Sequence, residues 1–285
     1  MPIELGANRY GKSRVRLMKV TRGDGAHSVV EWNVEVWLRG DFHECFVDGD
    51  NSRILPTDTM KNTVYSLARA SAAASPEAFA VELASHFIDN NPHADGAEIR
   101  IQSTPWKQLG VNDATLPYSF THDANKIGTV VVTIGRESAP VITSGFEKLW
   151  LLKTANSGFA GFMKDRLTTL KETHDRLLGT LAEASWLYTG ESLDFNALRR
   201  RIEAALLIAF AEHDSLSVQQ TLYAMAEAAL ENVPEIAQIH LSMPNKHCNL
   251  VDLSPFGQDN PNEIFVPTDE PHGSIEATVF RQGVK

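Results

Sequence analysis

The sequence predicts an α+β fold made of antiparallel sheet and helices, arranged as two similar modules. Three observations carry this expectation. Two long segments near the start alternate apolar and polar residues with period two. Two helical patterns and further strand patterns follow them. The same order of elements then returns in the second half of the chain.

The first hairpin comes from Val15, Leu17 and Lys19 opposing Arg16, Met18 and Val20. After a Gly23-Asp24-Gly25 turn, Val30, Trp32, Val34, Val36 and Leu38 alternate with Glu31, Asn33, Glu35 and Trp37. One face is therefore buried and the other mostly polar, as in antiparallel sheet. Pro56-Thr57-Asp58 opens a helix with Thr57 or Asp58 as its N-cap, and Met60, Val64, Leu67 and Ala68 follow at helical spacing. Ser75-Pro76-Glu77 opens a second, with a capping serine and a proline at the first helical position. Phe79, Val81, Leu83 and Phe87 are its apolar positions, and Asn90-Asn91-Pro92 ends it. The alanine-rich run from Ala68 to Ala74 reads as helix end and linker. Strands are expected from Ala97 to Ser103 and from Thr129 to Arg136.

Polar Glu137-Ser138-Ala139-Pro140 marks a boundary between modules 1–139 and 140–285. In the second module, extended segments are expected from Phe146 to Thr154 and from Leu178 to Tyr188. Helices follow from Asp194 to Glu212 and from Ser217 to Glu231, then strands from Ile236 to Met243 and from Ile275 to Phe280.

Composition narrows the function. The chain has 285 residues and a formal net charge of −10. That balance argues against a general nucleic-acid binder, yet a few local cations can still hold a small anion. The two cysteines, Cys45 and Cys248, are too few for a four-cysteine zinc or iron–sulfur site. Ten histidines show no HExxH and no pair at i, i+3 or i, i+4, and His43-Glu44-Cys45 lies on strand-like sequence. No apolar run approaches the ~20 residues of a membrane span. The start MPIELGANRYGK has no signal-peptide core, and the end Gly283-Val284-Lys285 has no peroxisomal tripeptide, so a cytoplasmic protein is expected.

Gly6 to Ser13 matches the phosphate-loop pattern GxxxxGK[ST] literally. That pattern needs a strand before it and a helix after it. Five residues precede Gly6, and Val15 onward alternates like a strand, so the match is read as chance. Other polar residues stand in notable places. Ser217-Val218-Gln219-Gln220 is a capping-box sequence that puts Val218 and Gln219 at the first two positions of a helix, where free N–H groups can meet an anion. Arg176 precedes a strand, Phe159 lies among glycines in a loop, and Met243-Pro244-Asn245-Lys246-His247 ends a strand with residues typical of turns. Each has an ordinary structural explanation when taken alone.

Together these strings resemble the urate oxidase (uricase) family of cofactor-independent enzymes. The resemblance is carried by Tyr10-Gly11-Lys12, by the run from Asn51 to Thr63, and by Leu152-Lys153-Thr154 with Asn156-Ser157-Gly158-Phe159. It continues through Asp175-Arg176, Ser217-Val218-Gln219, Met243 to His247, and Pro271-His272-Gly273.

The resemblance implies a tandem tunnelling fold (T-fold), with antiparallel sheets, helices on the outer face and a barrel formed on oligomerisation. It implies a homotetramer with sites at subunit interfaces, Thr57 and Asp58 coming from one chain and Phe159, Arg176, Val218 and Gln219 from its neighbour. Arg176 would clamp urate with a bidentate fork, Gln219 would offer a mixed amide edge, Phe159 would stack, and the Val218 N–H would meet the anion. Asp58 would act through its backbone. Lys12, Thr57 and His247 would form a proton relay, and Asn245 with Thr57 would hold dioxygen or water. Urate and dioxygen would be the partners, 5-hydroxyisourate and hydrogen peroxide the products, with no cofactor and no metal.

Cys248 departs from the bulkier apolar or aromatic residues usual after the relay histidine, which would alter packing next to the relay or leave a thiol vulnerable to the peroxide product. Two other readings remain open: a non-catalytic purine-binding T-fold protein, and a pterin-acting T-fold enzyme. The first would need a lesion among the relay and binding residues. The second usually anchors its ring with a glutamate where this chain has Gln219.

Overall fold

The computed structural model describes residues 3–112, 114–122 and 125–283. Met1, Pro2, Val284 and Lys285, on which the targeting expectations partly rest, lie outside the described residues. The elements in chain order are β1 (Tyr10–Arg22), β2 (His27–Gly40), α1 (His43–Val47), α2 (Thr57–Ala70), α3 (Pro76–Asn90) and β3 (Ala94–Thr104). Next come β4 (Trp106–Val111), β5 (Ala114–His122), β6 (Ile127–Gly135), β7 (Val141–Lys153) and β8 (Leu178–Tyr188). The chain ends with α4 (Phe195–Glu212), α5 (Val218–Asn232), β9 (Ile236–Ser242), β10 (Asn245–Leu250), β11 (Phe265–Gly273) and β12 (Glu276–Phe280). The fold is α+β with antiparallel sheets, as the alternation and helical spacing predict.

Two compact units divide these elements. The first comprises Met1–Phe146 with Leu187–Asn196, and the second Glu147–Trp186 with Ala197–Lys285. In the first unit β1, β2, β3 and β6 pair antiparallel in that order. Val34, Val36 and Leu38 of β2 are fully buried, and Ile99 and Ile101 of β3 share their face. Met60 and Val64 of α2 and Phe79, Leu83 and Phe87 of α3 close over them. Burying each such side chain contributes roughly 1.5–3 kcal/mol. Gly11 has no alternative here: a Cβ at that position would lie 1.9 Å from the Val36 carbonyl oxygen.

In the second unit β12 pairs with β9, β9 and β10 both pair with β8, and β11 pairs with β10. Helix α5 packs on β9 and β12, burying Leu222 and Met225 with Ile239 and Leu241.

Each long helix ends on a cation supplied by a strand or its edge. Lys19 of β1 donates to the Ser71 carbonyl at the end of α2, at 2.8 Å. Arg136, just past β6, donates to the carbonyls of Ile88 and Asn91 at the end of α3, at 3.1 and 2.8 Å, and to that of Ala94, which opens β3, at 2.7 Å. Lys153, at the end of β7, donates to Phe210 and Ala211 at 3.1 Å each and also to His213, beyond α4. Arg281, just past β12, donates to Leu230 and to Val233 at 3.3 Å, beyond α5. Helix C-termini carry orphan carbonyls and a negative dipole end, so these cations satisfy both needs.

Several expectations need correction. His43-Glu44-Cys45 is helical in α1, closed by Gly49 at φ +74°, because five residues between two turns carry no period that separates helix from strand. Pro56, not Thr57 or Asp58, is the N-cap of α2, and no side chain caps it. The turn-like Asn245-Lys246-His247 begins strand β10, where pairing with β8 and β11 outweighs local turn preference. The β4–β5 hairpin and β11 were not foreseen; they are largely exposed and so lack an alternating buried face. Ser75 caps α3 through the Ala78 N–H at 3.2 Å, as expected. Tyr10 to Ser13 lie in a strand, so no phosphate loop forms there. Among the described residues no helix is long and apolar enough to cross a membrane.

Lys153 is 8% exposed and serves three carbonyls of one helix end. Lys153→Met should therefore lower unfolding free energy by about 1–3 kcal/mol, read from urea denaturation.

Candidate active site

A cleft of about 320 Å³ opens in the second unit. Its lining includes Phe159, Arg176, Val218, Gln219, Asn245 and His247, which the sequence places in four separate segments. All of them come from the second unit.

Main-chain bonds bring the first three segments together. The Phe159 N–H donates to the Thr173 carbonyl at 2.7 Å, and the Thr173 N–H returns a bond at 3.0 Å. The Arg176 N–H donates to Ser157 at 2.9 Å, and the Gly158 N–H donates to Ser215 at 2.8 Å. The Ser215 N–H closes the set on Asn156 at 2.9 Å. Residues 156–159 thus clasp both the segment before β8 and the segment before α5. Gly158 allows this approach, since a Cβ there would meet the Thr173 oxygen at 3.1 Å and His174 Cα at 3.3 Å.

Arg176 is half-buried, and burial pushes its guanidinium below the ordinary value by disfavouring the charged form. Its Nε is buried and has no hydrogen-bond partner among the described residues, and no carboxylate pairs with it there. The guanidinium carbon lies 5.6 Å from the Phe159 ring centre, within cation–π range. A partly desolvated, unpaired guanidinium beside an aromatic face suits a planar anion. Bidentate bonding and stacking can then act on one ligand.

Helix α5 begins at the cleft. Ser217 Oγ accepts from the Gln220 N–H at 3.1 Å, and Gln220 Oε1 reaches back to the Leu216 N–H at 3.0 Å. This is the predicted capping box, with its return bond one residue earlier than the standard pattern. Beneath it, buried Thr221 donates to Ser215 Oγ at 2.7 Å. Capping leaves the N–H groups of Val218 and Gln219, the first two helical residues, without an intrahelical partner. Both residues line the cleft.

On another side, Asn245 opens β10 opposite Thr180 of β8 and Gly273 of β11. The register shifts between Asn245 and His247. Cys248, a free thiol, lines the cleft beside His247.

Lys12, Thr57 and Asp58 belong to the first unit. Lys12 sits in β1 just before a bulge, with Arg14 at φ 58°. Tyr10 fixes the loop that leads to Thr57: its hydroxyl accepts the Leu55 N–H at 2.9 Å, and its ring packs edge-on against Phe42 at 4.8 Å. Arg53 ties the same loop to Asp41 and, at 3.3 Å, to Glu44. Thr57 is the first residue of α2. The Asp58 carboxyl is held below its usual range, chiefly by Lys61 and in smaller part by the charge of Lys12. Its side chain is thus occupied by Lys61 and Asn62, which leaves its backbone for other roles.

The cleft also uses residues that the sequence did not single out. Leu170, Lys171 and Thr173 line it from an irregular polar segment without any period to reveal them. Ser215 and Thr221 are buried polar residues whose only sequence signal was their closeness to the capping box.

A family model described as Uricase matches residues 8–133 and 142–276. The uricase of Arthrobacter globiformis is 44% identical over 282 residues, covering 99% of this chain and 91% of that protein. The uricase of Dictyostelium discoideum is 38% identical over 277 residues, covering 96% of each. The crystal structure of uricase from Arthrobacter globiformis superposes with a TM-score of 0.95 at 43% identity, covering 100% of this chain and 97% of that one. Urate oxidase from Bacillus sp. TB-90 shares the fold at a TM-score of 0.83 and 22% identity, over 96% of this chain and 100% of that one.

Ser217 caps the helix start at the cleft through the Gln220 N–H. Ser217→Ala should cost about 1 kcal/mol of stability, measured by thermal or denaturant unfolding.

Proposed function

The chain belongs to the uricase family, and from that premise we propose a cofactor-independent urate oxidase whose substrate half-site is the cleft of the second unit. The enzyme oxidises urate with dioxygen. The observation that carries the site assignment is the gathering of Phe159, Arg176, Val218, Gln219, Asn245 and His247 around one cleft.

In this reading Arg176 clamps the pyrimidine edge of urate by a two-bond fork, and Phe159 stacks on the ring. Gln219 meets a mixed donor–acceptor edge with one amide, and the Val218 N–H contributes the positive end of α5. Thr57 and Asp58 reach the imidazole side from a neighbouring chain, Asp58 through its backbone. That division is supported by where they lie: both open α2 in the first unit, on a helix start that no side chain caps. The assembly is a homotetramer whose sites are completed by a second copy, with the sheets closing into a barrel.

Lys12, Thr57 and His247 form the proton relay. Urate loses a proton to it and passes an electron to dioxygen, and recombination gives a urate hydroperoxide. Hydrogen peroxide leaves, and water adds to give 5-hydroxyisourate. Overall, urate, dioxygen and water become 5-hydroxyisourate and hydrogen peroxide. Urate is itself the reductant, so the scheme calls for no flavin and no metal. Asn245 and Thr57 hold dioxygen, then water, above the ring plane.

The tandem modules 1–139 and 140–285 belong to the same reading. Their support is the matched capping. In each, a lysine of the first strand closes the first long helix, and an arginine just past the last strand closes the second.

The direct test follows urate absorbance and oxygen uptake in metal-free buffer with chelator. Turnover is expected, and no loss of urate would refute the assignment. Lys12→Met should lower kcat far more than it raises KM, whereas Arg176→Lys should chiefly raise KM for urate, since an ammonium cannot make the fork. Full activity in Lys12→Met would remove Lys12 from the relay.

A further inference from the structure

One buried polar group beside the cleft has no role in the description above. Thr180 of β8 is fully buried, and its hydroxyl has no hydrogen-bond partner among the described residues. An unmatched buried hydroxyl is unfavourable, and native structures rarely keep one without a use.

Thr180 is the direct cross-strand partner of Asn245. Opposed residues of an antiparallel pair put their side chains on one face, with Cβ atoms about 4.5–5.5 Å apart. For Thr180 this is the buried face of β8, shared with Leu178 and Ala182. Asn245 lines the cleft, and its amide engages no described side chain or carbonyl. The backbone of Asn245 is fixed from both sides, by β8 and by β11 at Gly273. What remains free is the rotation of the amide, which decides whether oxygen or NH2 faces the cleft.

We infer that Thr180 is a positioning residue for Asn245: its hydroxyl donates through one bridging water to Asn245 Oδ1 and so turns the amide NH2 toward the cleft. This rests on the reading of Asn245 as the residue that holds dioxygen and water. Reduced dioxygen is anionic, so a donor in that place is favourable and a carbonyl oxygen is repulsive. Thr180 does not touch the substrate. Without it the amide is held in neither sense, and the oxygen step weakens while urate binding does not.

The test varies dioxygen at saturating urate. Thr180→Val keeps the shape and removes the hydroxyl, and kcat/KM for dioxygen should fall about tenfold, the scale of one hydrogen bond. Urate affinity in oxygen-free buffer and the unfolding temperature should stay as in the parent. Thr180→Ser should restore the oxygen dependence. Unaltered oxygen kinetics in Thr180→Val, or no recovery in a folded Thr180→Ser, overturns the inference. In an Asn245→Ala background, Thr180→Val should add nothing. A full further loss there would place the effect of Thr180 elsewhere. Asn245→Ala alone separates the two levels. If it leaves oxygen kinetics unchanged while urate turnover persists, the role of Asn245 fails first, and the role of Thr180 with it.

Discussion

Four cations at four helix ends organise this molecule. Lys19, Arg136, Lys153 and Arg281 each donate to carbonyls at the end of one long helix. A helix whose negative end is satisfied by a strand is fixed in direction against that strand. Its N–H end is then free for other work. In α3 a serine takes up that end, and in α2 no side chain does. In α5 a serine caps the start yet leaves the first two N–H groups at the cleft. The starts of α2 and α5 are those that carry Thr57, Asp58, Val218 and Gln219.

The clasp at residues 156–159 converts this scaffold into a site. It joins three chain segments by backbone bonds alone, so the positions of Phe159 and Arg176 do not depend on flexible side chains. Arg176 can stay unpaired because its neighbours anchor its backbone. The −10 net charge does not conflict with an anionic substrate, because one desolvated guanidinium and one helix start act at short range. In the first unit Gly11 and Tyr10 do the matching work. One allows close approach to Val36, and the other holds the loop before Thr57.

Most of the fold was legible because burial writes a period into the sequence. The β1–β2 hairpin, α3 and α5 were visible from alternation, helical spacing and capping serines. The β4–β5 hairpin and β11 were not, since exposed strands have no buried face to mark them. β10 was misread because Asn245 and His247 look like turn residues when pairing is ignored. In the cleft, Arg176, Phe159 and Gln219 each had an ordinary explanation, and only the order of motifs along the chain pointed to a site. Long-range pairings such as Thr180 with Asn245 leave no local trace, because both residues are unremarkable in their own segments.

The central claim is that the cleft of one chain is completed by the first unit of another. Mixing two defects measures this directly. Thr57→Ala and Arg176→Ala chains, each strongly impaired alone, are co-expressed with different tags, and the heteromers are isolated. Sites shared between chains predict recovery toward about a quarter of parental turnover, because that fraction of interfaces pairs two intact halves. Heteromers no more active than the two single variants would contradict a shared site.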